Sequence, residues 1–416
     1  MLILTLKVFE LIVVGGGASG FMSAVTAAEN NVKNIIILES STKLLEKVRI
    51  SGGGRCNVTN ASWVPSEFID NYPRGRRKLI ESFSRFSSGD VFEWFQEKGV
   101  KLKIEDDLRV FPISDSSLDI VNCLKHRAEN MGIKISLKKF VKKIERVNSN
   151  GLFKVFISKD EFLFTKNLLI STGGHPSGFR LAESLGHKII KPVPSLFSFS
   201  CRDEKLKECK GVSVRNVHLE IYMNNKYFKS RGDLLITHWG FSGPSILRLS
   251  SEAARDLYEK KYNFKLRIRW TNLDHSELNN RMSKLRETNG TSNLCNLRPI
   301  PSLTKRLWVY LLNKLGVDNT KNWSELFSTE KYKIINILLN DEYQITGRGP
   351  FLDEFVISGG VSLDEVSFKT MESFICKGLY FSGEVLDVDG ITGGFNFQHC
   401  WTSGWLAGKA ISKSIT

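Results

Sequence analysis

The residues whose types and spacing could do chemistry gather first near the start of the chain. Leu11-Ile12-Val13-Val14 is a short β-branched-rich run that leads into Gly15-Gly16-Gly17-Ala18-Ser19-Gly20. The spacing is GxGxxG: Gly15 permits a tight turn, Gly17 lets backbone approach a diphosphate, and Gly20 lets a helix pack on the strand. That helix would offer the free amides of its first turn, Ala18 and Ser19 included, and a positive dipole to phosphate oxygens. A second strand, Ile35-Ile36-Ile37-Leu38, ends at Glu39, 39 − 20 = 19 residues past the last glycine, with Ser40 next to it. An acid there accepts from ribose hydroxyls and repels a 2′-phosphate, so the site suits FAD or NAD rather than NADP.

Two further glycine-dense segments could close around the same ligand. Lys47-Val48-Arg49-Ile50-Ser51-Gly52-Gly53-Gly54-Arg55-Cys56-Asn57-Val58-Thr59-Asn60 combines three successive glycines with Arg55 and two amides, a loop able to wrap an anionic cofactor. Near the C-terminus a strand reads through Tyr380-Phe381 into Gly383-Glu384. Asp387, Asp389, Gly390 and the pair Gly393-Gly394 follow, and a helical pattern runs from Phe395 to Lys409. A glycine pair opening a helix presents N–H groups to an electron-rich ring edge, and Phe395 and Asn396 flank it. Between these segments, Leu168-Leu169-Ile170 leads into Thr172-Gly173-Gly174, a second turn able to touch the cofactor. Val141, at the head of an alternating stretch to Val147, joins the cofactor-binding candidates.

The elements that must position these groups are an α/β frame. Small residues Ala24, Ala27 and Ala28 mark the sheet-facing side of the first helix. Ser87 with Asp90 starts a helix that stops near Gly99, and Asp115 starts another that stops near Gly132. From about Pro194 the pattern changes to short β-type runs such as Val217 to Met223. A helix after Ser302 places Leu303, Leu307, Tyr310 and Leu311 on one face, as core.

Taken in order, IVVGGGASG, SGGGRCNVTN, RVFP, LLISTGGHP, LLITHWGFSGPSIL and GLYFSGEVLDVDGITGGFNFQ resemble the NAD(P)/FAD-dependent oxidoreductases of the BaiN/RdsA type. The resemblance implies a Rossmann-type FAD-binding domain split by an inserted β-rich substrate domain and a small helical domain. On this sequence the expected parts are 1–193 for the first FAD part, 194–262 with 343–355 for the β-rich domain, 263–342 for the helical insert, and 356–416 for the second FAD part. Two departures are visible: the segment from Gly174 to Leu181 is short beside many relatives, and Leu45-Glu46 stands where many carry glycine and a basic residue.

The resemblance implies hydride transfer through flavin N5, the protein supplying position, electrostatics and a proton. With one dinucleotide fingerprint, NAD(P)H would dock transiently as electron donor. Cys56 and His399 are the catalytic candidates for the proton; Cys400 and His238 are weaker ones. The leading expectation is reduction of a conjugated C=C bond, with a uracil base of large-subunit ribosomal RNA as substrate. A small-molecule amine oxidase or enone reductase, and a non-catalytic FAD- or RNA-binding protein, stay open beside it.

Composition limits the alternatives. The 416 residues carry 59 Lys and Arg against 44 Asp and Glu, a net charge of +15 that favours polyanionic partners such as RNA. Basic runs occur at residues 74–78, 138–146 and 260–269. Seven scattered cysteines without CxxC spacing argue for reduced thiols and against a structural zinc site; no metal is expected. The uncharged stretch from Leu11 to Ala28 mimics a membrane span, but its four glycines fit a strand–turn–helix better. The sequence thus predicts a cytoplasmic enzyme without a targeting segment.

Overall fold

The computed structural model describes residues 8–147, 151–350 and 356–415. It divides into two compact units, residues 1–193 with 356–416 and residues 194–355.

The first unit is built on a seven-stranded sheet. β1 (Val8–Val14) runs into α1 (Ala18–Glu29), which returns to β2 (Ile35–Leu38); α2 (Glu46–Gly54) follows. β3 (Lys134–Ser136), β4 (Lys143–Arg146), β5 (Phe153–Phe156) and β6 (Phe162–Ile170) complete most of it, in the order β3-β2-β1-β6-β5-β4. The last strand, Leu379–Phe381, pairs in parallel with β6. β1 sits centrally, Leu11 opposite Ile35 on one side and Asn167 on the other, both parallel. Leu11, Ile12 and Val13 are fully buried, as expected for a strand covered on both faces. β4 and β5 continue from β6 as an antiparallel ribbon.

One cover of the sheet is α1 packed on the C-terminal helix, Phe395–Ile415. Gly404 and Gly408 make that contact possible. A Cβ on Gly404 would lie 2.5 Å from the Ser19 carbonyl oxygen, and one on Gly408 2.6 Å from that of Ser23. The helices therefore meet backbone to backbone, and the glycine turn at the head of α1 inherits its position from that contact.

The second unit is a closed barrel with helices on it. β7 (Phe199–Cys201), β8 (Ser213–Met223), β9 (Lys226–Ile236), β10 (Gly240–Ser242), β11 (Phe264–Arg269) and β12 (Asp341–Arg348) close in the order β7-β10-β9-β8-β11-β12. α3 (His275–Thr288), α4 (Lys305–Lys314) and α5 (Ser328–Asn340) fill the chain between β11 and β12. Leu303, Leu307, Tyr310 and Leu311 are buried in one core with the barrel.

Two boundaries differ from the sequence reading. The stretch 263–342, expected as a helical insert, contains β11 and the start of β12. In β11, Phe264, Leu266 and Ile268 alternate inward with exposed Lys265 and Arg267, so a strand was hidden inside a basic run. The helix expected to start at Asp115 begins at Leu118, because Asp115 has a left-handed backbone and spends its carboxylate on Lys103 and Arg55.

Candidate functional site

The site is assembled in the first unit where β1 meets α1. Gly15 has φ +113°, and a Cβ there would fall 2.5 Å from the Ser171 carbonyl oxygen. A side chain is thus excluded by both backbone conformation and space. Gly20 is equally tight, 2.2 Å from the Gly15 carbonyl oxygen by the same construction. Gly17 is different: it caps α1 without any side-chain hydrogen bond, and no atom lies within 4 Å of a Cβ placed on it. The α1 N-terminus therefore faces open space with uncapped amides, the arrangement that binds a diphosphate.

Glu39 closes the far side. Its Oε2 accepts from the Gly16 N–H at 2.8 Å and its Oε1 from the Ser41 N–H at 2.7 Å. Both bonds fix the carboxylate at the end of β2 and leave lone pairs for hydroxyl donors. Ser40 is exposed beside it. The loop bearing Val141 is tied to this corner by the Lys138 and Lys139 amides, which donate to Ser41 and Glu39; Val141 itself is buried in the core.

The second glycine loop follows α2. The helix loses its geometry at Ser51, whose Oγ donates to the Val48 carbonyl, and Gly52 and Gly53 are left-handed. Gly53 and Gly54 also have open space where a Cβ would be. Asn57, with its amide turned to suit its neighbours, donates to the Thr59 carbonyl and accepts from the Gly394 N–H, both at 2.9 Å. Lys47 reaches Glu384, Nζ to Oε2 at 2.6 Å, and Glu384 lies against Gly173. Gly174 packs on Ile357.

The C-terminal segment completes the ring of backbone. Ser19 Oγ donates to the Ser382 carbonyl at 3.2 Å, and the Gly383 N–H donates to Ser403 Oγ at 2.9 Å. Gly393 and Gly394, φ +129° and +93°, open the C-terminal helix, with the Thr59 carbonyl 2.4 Å from a Cβ built on Gly394. Asn396 clamps the preceding turn, exchanging hydrogen bonds of 2.9 Å with both backbone groups of Gly390. Phe395 and Asp387 are buried. The segments around residues 15–20, 39, 47–57, 172–174 and 383–396 are thus brought together.

These residues fit a bound FAD. Besides the uncapped helix and the open glycines, Thr172 Oγ1 and Ser382 Oγ are buried without a hydrogen-bond partner among the described residues. Each adjoins a glycine of the site, Gly173 or Gly383, and could bond to an incoming polar group.

Other assigned residues are placed differently. Arg55 lies over the Phe111 ring at 4.0 Å and is held by Glu105 and Asp115, so its charge is already engaged. Cys56 is fully buried, and burial pushes its thiol pKa up to about 12. His399 is buried too; loss of solvation lowers its pKa to about 4, and its Nε2 meets the Gly383 carbonyl at 3.2 Å. In this structure water cannot recharge either catalytic candidate. Cys400 is likewise raised by burial. His238 lies exposed in the second unit with its ring against Trp239, between β9 and β10.

Several contacts had no reading from sequence. Arg74 pairs with the fully buried Asp389, so one end of a run read as a basic surface is internal. Thr59 Oγ1 donates to Gln398 Oε1 at 2.5 Å, tying the second loop to the C-terminal helix. Ser373, His187 and Glu365 form a hydrogen-bonded chain, Oγ to Nε2 2.9 Å and Nδ1 to Oε2 3.1 Å. That serine is buried and accepts the Ile375 and Cys376 amides, which marks the chain as a structural pin.

Comparisons with known proteins identify the family. The family model described as HI0933-like protein Rossmann domain matches residues 9–410. A ribosomal RNA dihydrouridine synthase of Haemophilus influenzae is 26% identical over 97% of this chain and 98% of its own length. One of Escherichia coli is 28% identical over 97% and 98%. A 3-dehydro-bile acid delta(4,6)-reductase of Clostridium scindens is 27% identical over 96% and 98%. Among solved structures, the 3-ketosteroid-delta4-(5alpha)-dehydrogenase of Rhodococcus jostii shares the fold with a TM-score of 0.51 at 12% identity, over 99% of this chain and 98% of that one. Among the described residues no helix is long and apolar enough to cross a membrane. The chain belongs to the HI0933-like family, the FAD-dependent oxidoreductases of BaiN/RdsA type.

Proposed function

We propose that the protein reduces a conjugated C=C bond, with a uracil base of large-subunit ribosomal RNA as substrate and NAD(P)H as a transiently docked electron donor. The observation that carries this is full-length similarity to two relatives named ribosomal RNA dihydrouridine synthase. The net charge of +15 supports it, since excess cations draw RNA phosphates at modest salt.

When bound here and reduced by NAD(P)H, FAD would supply the hydride for the substrate carbon. The chain's own groups do the holding: the α1 amides take the diphosphate, Glu39 the ribose hydroxyls, and the Gly393–Gly394 end of the C-terminal helix an electron-rich ring edge. The second carbon of the reduced bond needs a proton from a group that water can recharge. Cys56 and His399 are sealed off, whereas Lys47 is exposed and held beside Gly173 by Glu384. The attraction of Glu384 raises the Lys47 pKa, so the ammonium stays charged at neutral pH. Lys47 is proposed to carry that proton on its position and solvent contact alone, since the raised pKa makes its ammonium a weaker acid than a free lysine. A uracil within a stack hides its face, so the base must be unstacked first.

The test is mass analysis of nucleosides from large-subunit ribosomal RNA of cells with and without the protein. Loss of a dihydrouridine on deletion, restored by the gene, supports the reading; unchanged dihydrouridine overturns it. The Clostridium scindens relative favours a second reading, reduction of a steroid-like enone. Flavin reoxidation by such an enone, but not by RNA, would select it.

A further inference from the structure

The outer face of the barrel carries a tyrosine pair that the core does not need. Tyr222 and Tyr227 face each other at the tip of the β8–β9 hairpin, 58% and 61% exposed, with ring centroids 4.6 Å apart. The turn between them, Asn224-Asn225, has positive φ at both positions, as a tight hairpin of twisted strands requires. Behind the rings the outward rows are charged. Arg215, Lys229 and Arg231 lie on β8 and β9, and Lys265, Arg267 and Arg269 on β11. Register places Glu220 opposite both Lys229 and Arg267, and Glu342 opposite Arg267. With Asp233 and Asp256, which meet Asn216 and Asn224, the carboxylates number four against six cations, of which Lys229, Lys265 and Arg267 are ion-paired with Glu220 and Glu342. Lys229 also lies 5.3 Å from the Tyr227 ring centroid.

We infer that this hairpin face is a docking surface for single-stranded RNA, its tyrosines stacking on unpaired bases and its cations following the phosphates. The inference rests on the RNA reading above and deepens it by naming where the strand is held. The polar asparagine tip, and Glu220 and Lys229 next along the outward rows from the rings, argue against a lipid surface. Flat exposed rings select unpaired bases, because a duplex hides base faces. The basic run at residues 260–269, read from sequence as a charge cluster, supplies Lys265, Arg267 and Arg269 to this one face.

The experiment uses the full flavin-loaded chain and a fluorescent U-rich single strand of about 12 nucleotides, a length in the range that single-strand-binding proteins cover. Anisotropy is measured against salt for the wild type, Tyr222→Ala with Tyr227→Ala, and Lys229→Gln with Lys265→Gln. Flavin absorbance and melting temperature confirm that each variant is folded. The tyrosine variant should bind about tenfold more weakly or worse, and the lysine variant should show a salt slope smaller by about 1 to 2. Wild-type affinity in the tyrosine variant overturns the inference, as does equal affinity for a matching duplex or a preference for anionic vesicles. Dihydrouridine formation is scored separately. Activity with unaltered hairpin-variant binding removes the surface and keeps the reaction; hairpin-dependent binding without activity does the reverse.

Discussion

Lys47 Nζ lies 2.6 Å from Glu384 Oε2, joining the second glycine loop to the turn after the last strand across 337 positions of chain. Lys47 is 62% exposed and Glu384 only 11%, so the pair is screened on one side and contributes little to stability, under about 1 kcal/mol. Its place beside Gly173 and the second glycine loop puts it at the proposed site. Lys47→Met should keep its flavin and its rate of flavin reduction, while substrate reduction falls about a hundredfold. Stopped-flow measurement of the two half-reactions separates these. A variant that loses flavin would make Lys47 a cofactor anchor.

Gly15 and Gly17 should behave oppositely on substitution. Gly15→Ala places a methyl against the Ser171 carbonyl in a left-handed backbone, so the folded state should lose several kcal/mol or fail to form. Gly17→Ala meets open space at φ −93° and should melt within a few degrees of wild type. Its methyl points where a diphosphate must approach, so FAD affinity should fall at least about tenfold. Calorimetry of the flavin-free proteins and FAD titration distinguish the two effects.

Gly404→Val tests the helix contact that sets the glycine turn. The new side chain must displace Ser19 backbone, a cost of about 1–3 kcal/mol or more. Because Ser19 belongs to the α1 first turn, flavin affinity should weaken along with stability. Equal FAD binding at a lowered melting temperature would separate the contact from the site.

His399 gives a pH signature. Its pKa is about 4 in the fold against 6.5 for the free side chain, so the native state binds fewer protons than the unfolded chain between those values. Stability therefore rises with pH through that window, and about 3 kcal/mol is lost as pH falls from about 6.5 toward 4. In urea unfolding the wild type should lose about 3 kcal/mol more than His399→Gln as pH falls from about 6.5 toward 4. Parallel curves would show that His399 does not titrate in this way.

Asp341 is a buried charge in the second unit, 1% exposed, bonded to Lys314 Nζ at 2.5 Å and to Trp270 Nε1 at 2.9 Å. Burial raises its pKa, with Lys314 opposing the rise. Asp341→Ala leaves the buried Trp270 Nε1 without its acceptor and Lys314 with only the Glu342 carbonyl, and should destabilise that unit by about 1–3 kcal/mol. Near-UV circular dichroism of the melting transition would follow it.

The parts of this fold that could be read from sequence are those fixed by local sterics. The Gly15-to-Gly20 spacing, the β-branched run before it and the acid closing β2 each have one structural solution, and α1 and β2 fall where the periodicity puts them. Contacts made across hundreds of residues could not be read that way. Nothing local in Arg74 marks its burial against Asp389, and the barrel strand β11 was masked by its outward Lys and Arg side chains. Gly404 and Gly408 did carry a signal: two glycines four apart on a helix allow close helix approach. For Cys56 and His399 the residue types suggested chemistry that burial then withdrew.

The most direct measurement is titration of FAD into folded, flavin-free protein, followed by flavin absorbance and tryptophan fluorescence. Saturation at one FAD per chain, weakened in Gly17→Ala while the fold persists, is the expected result. A cooperatively folded chain that leaves added FAD free in solution would contradict the assignment of the α1 amides to a flavin diphosphate.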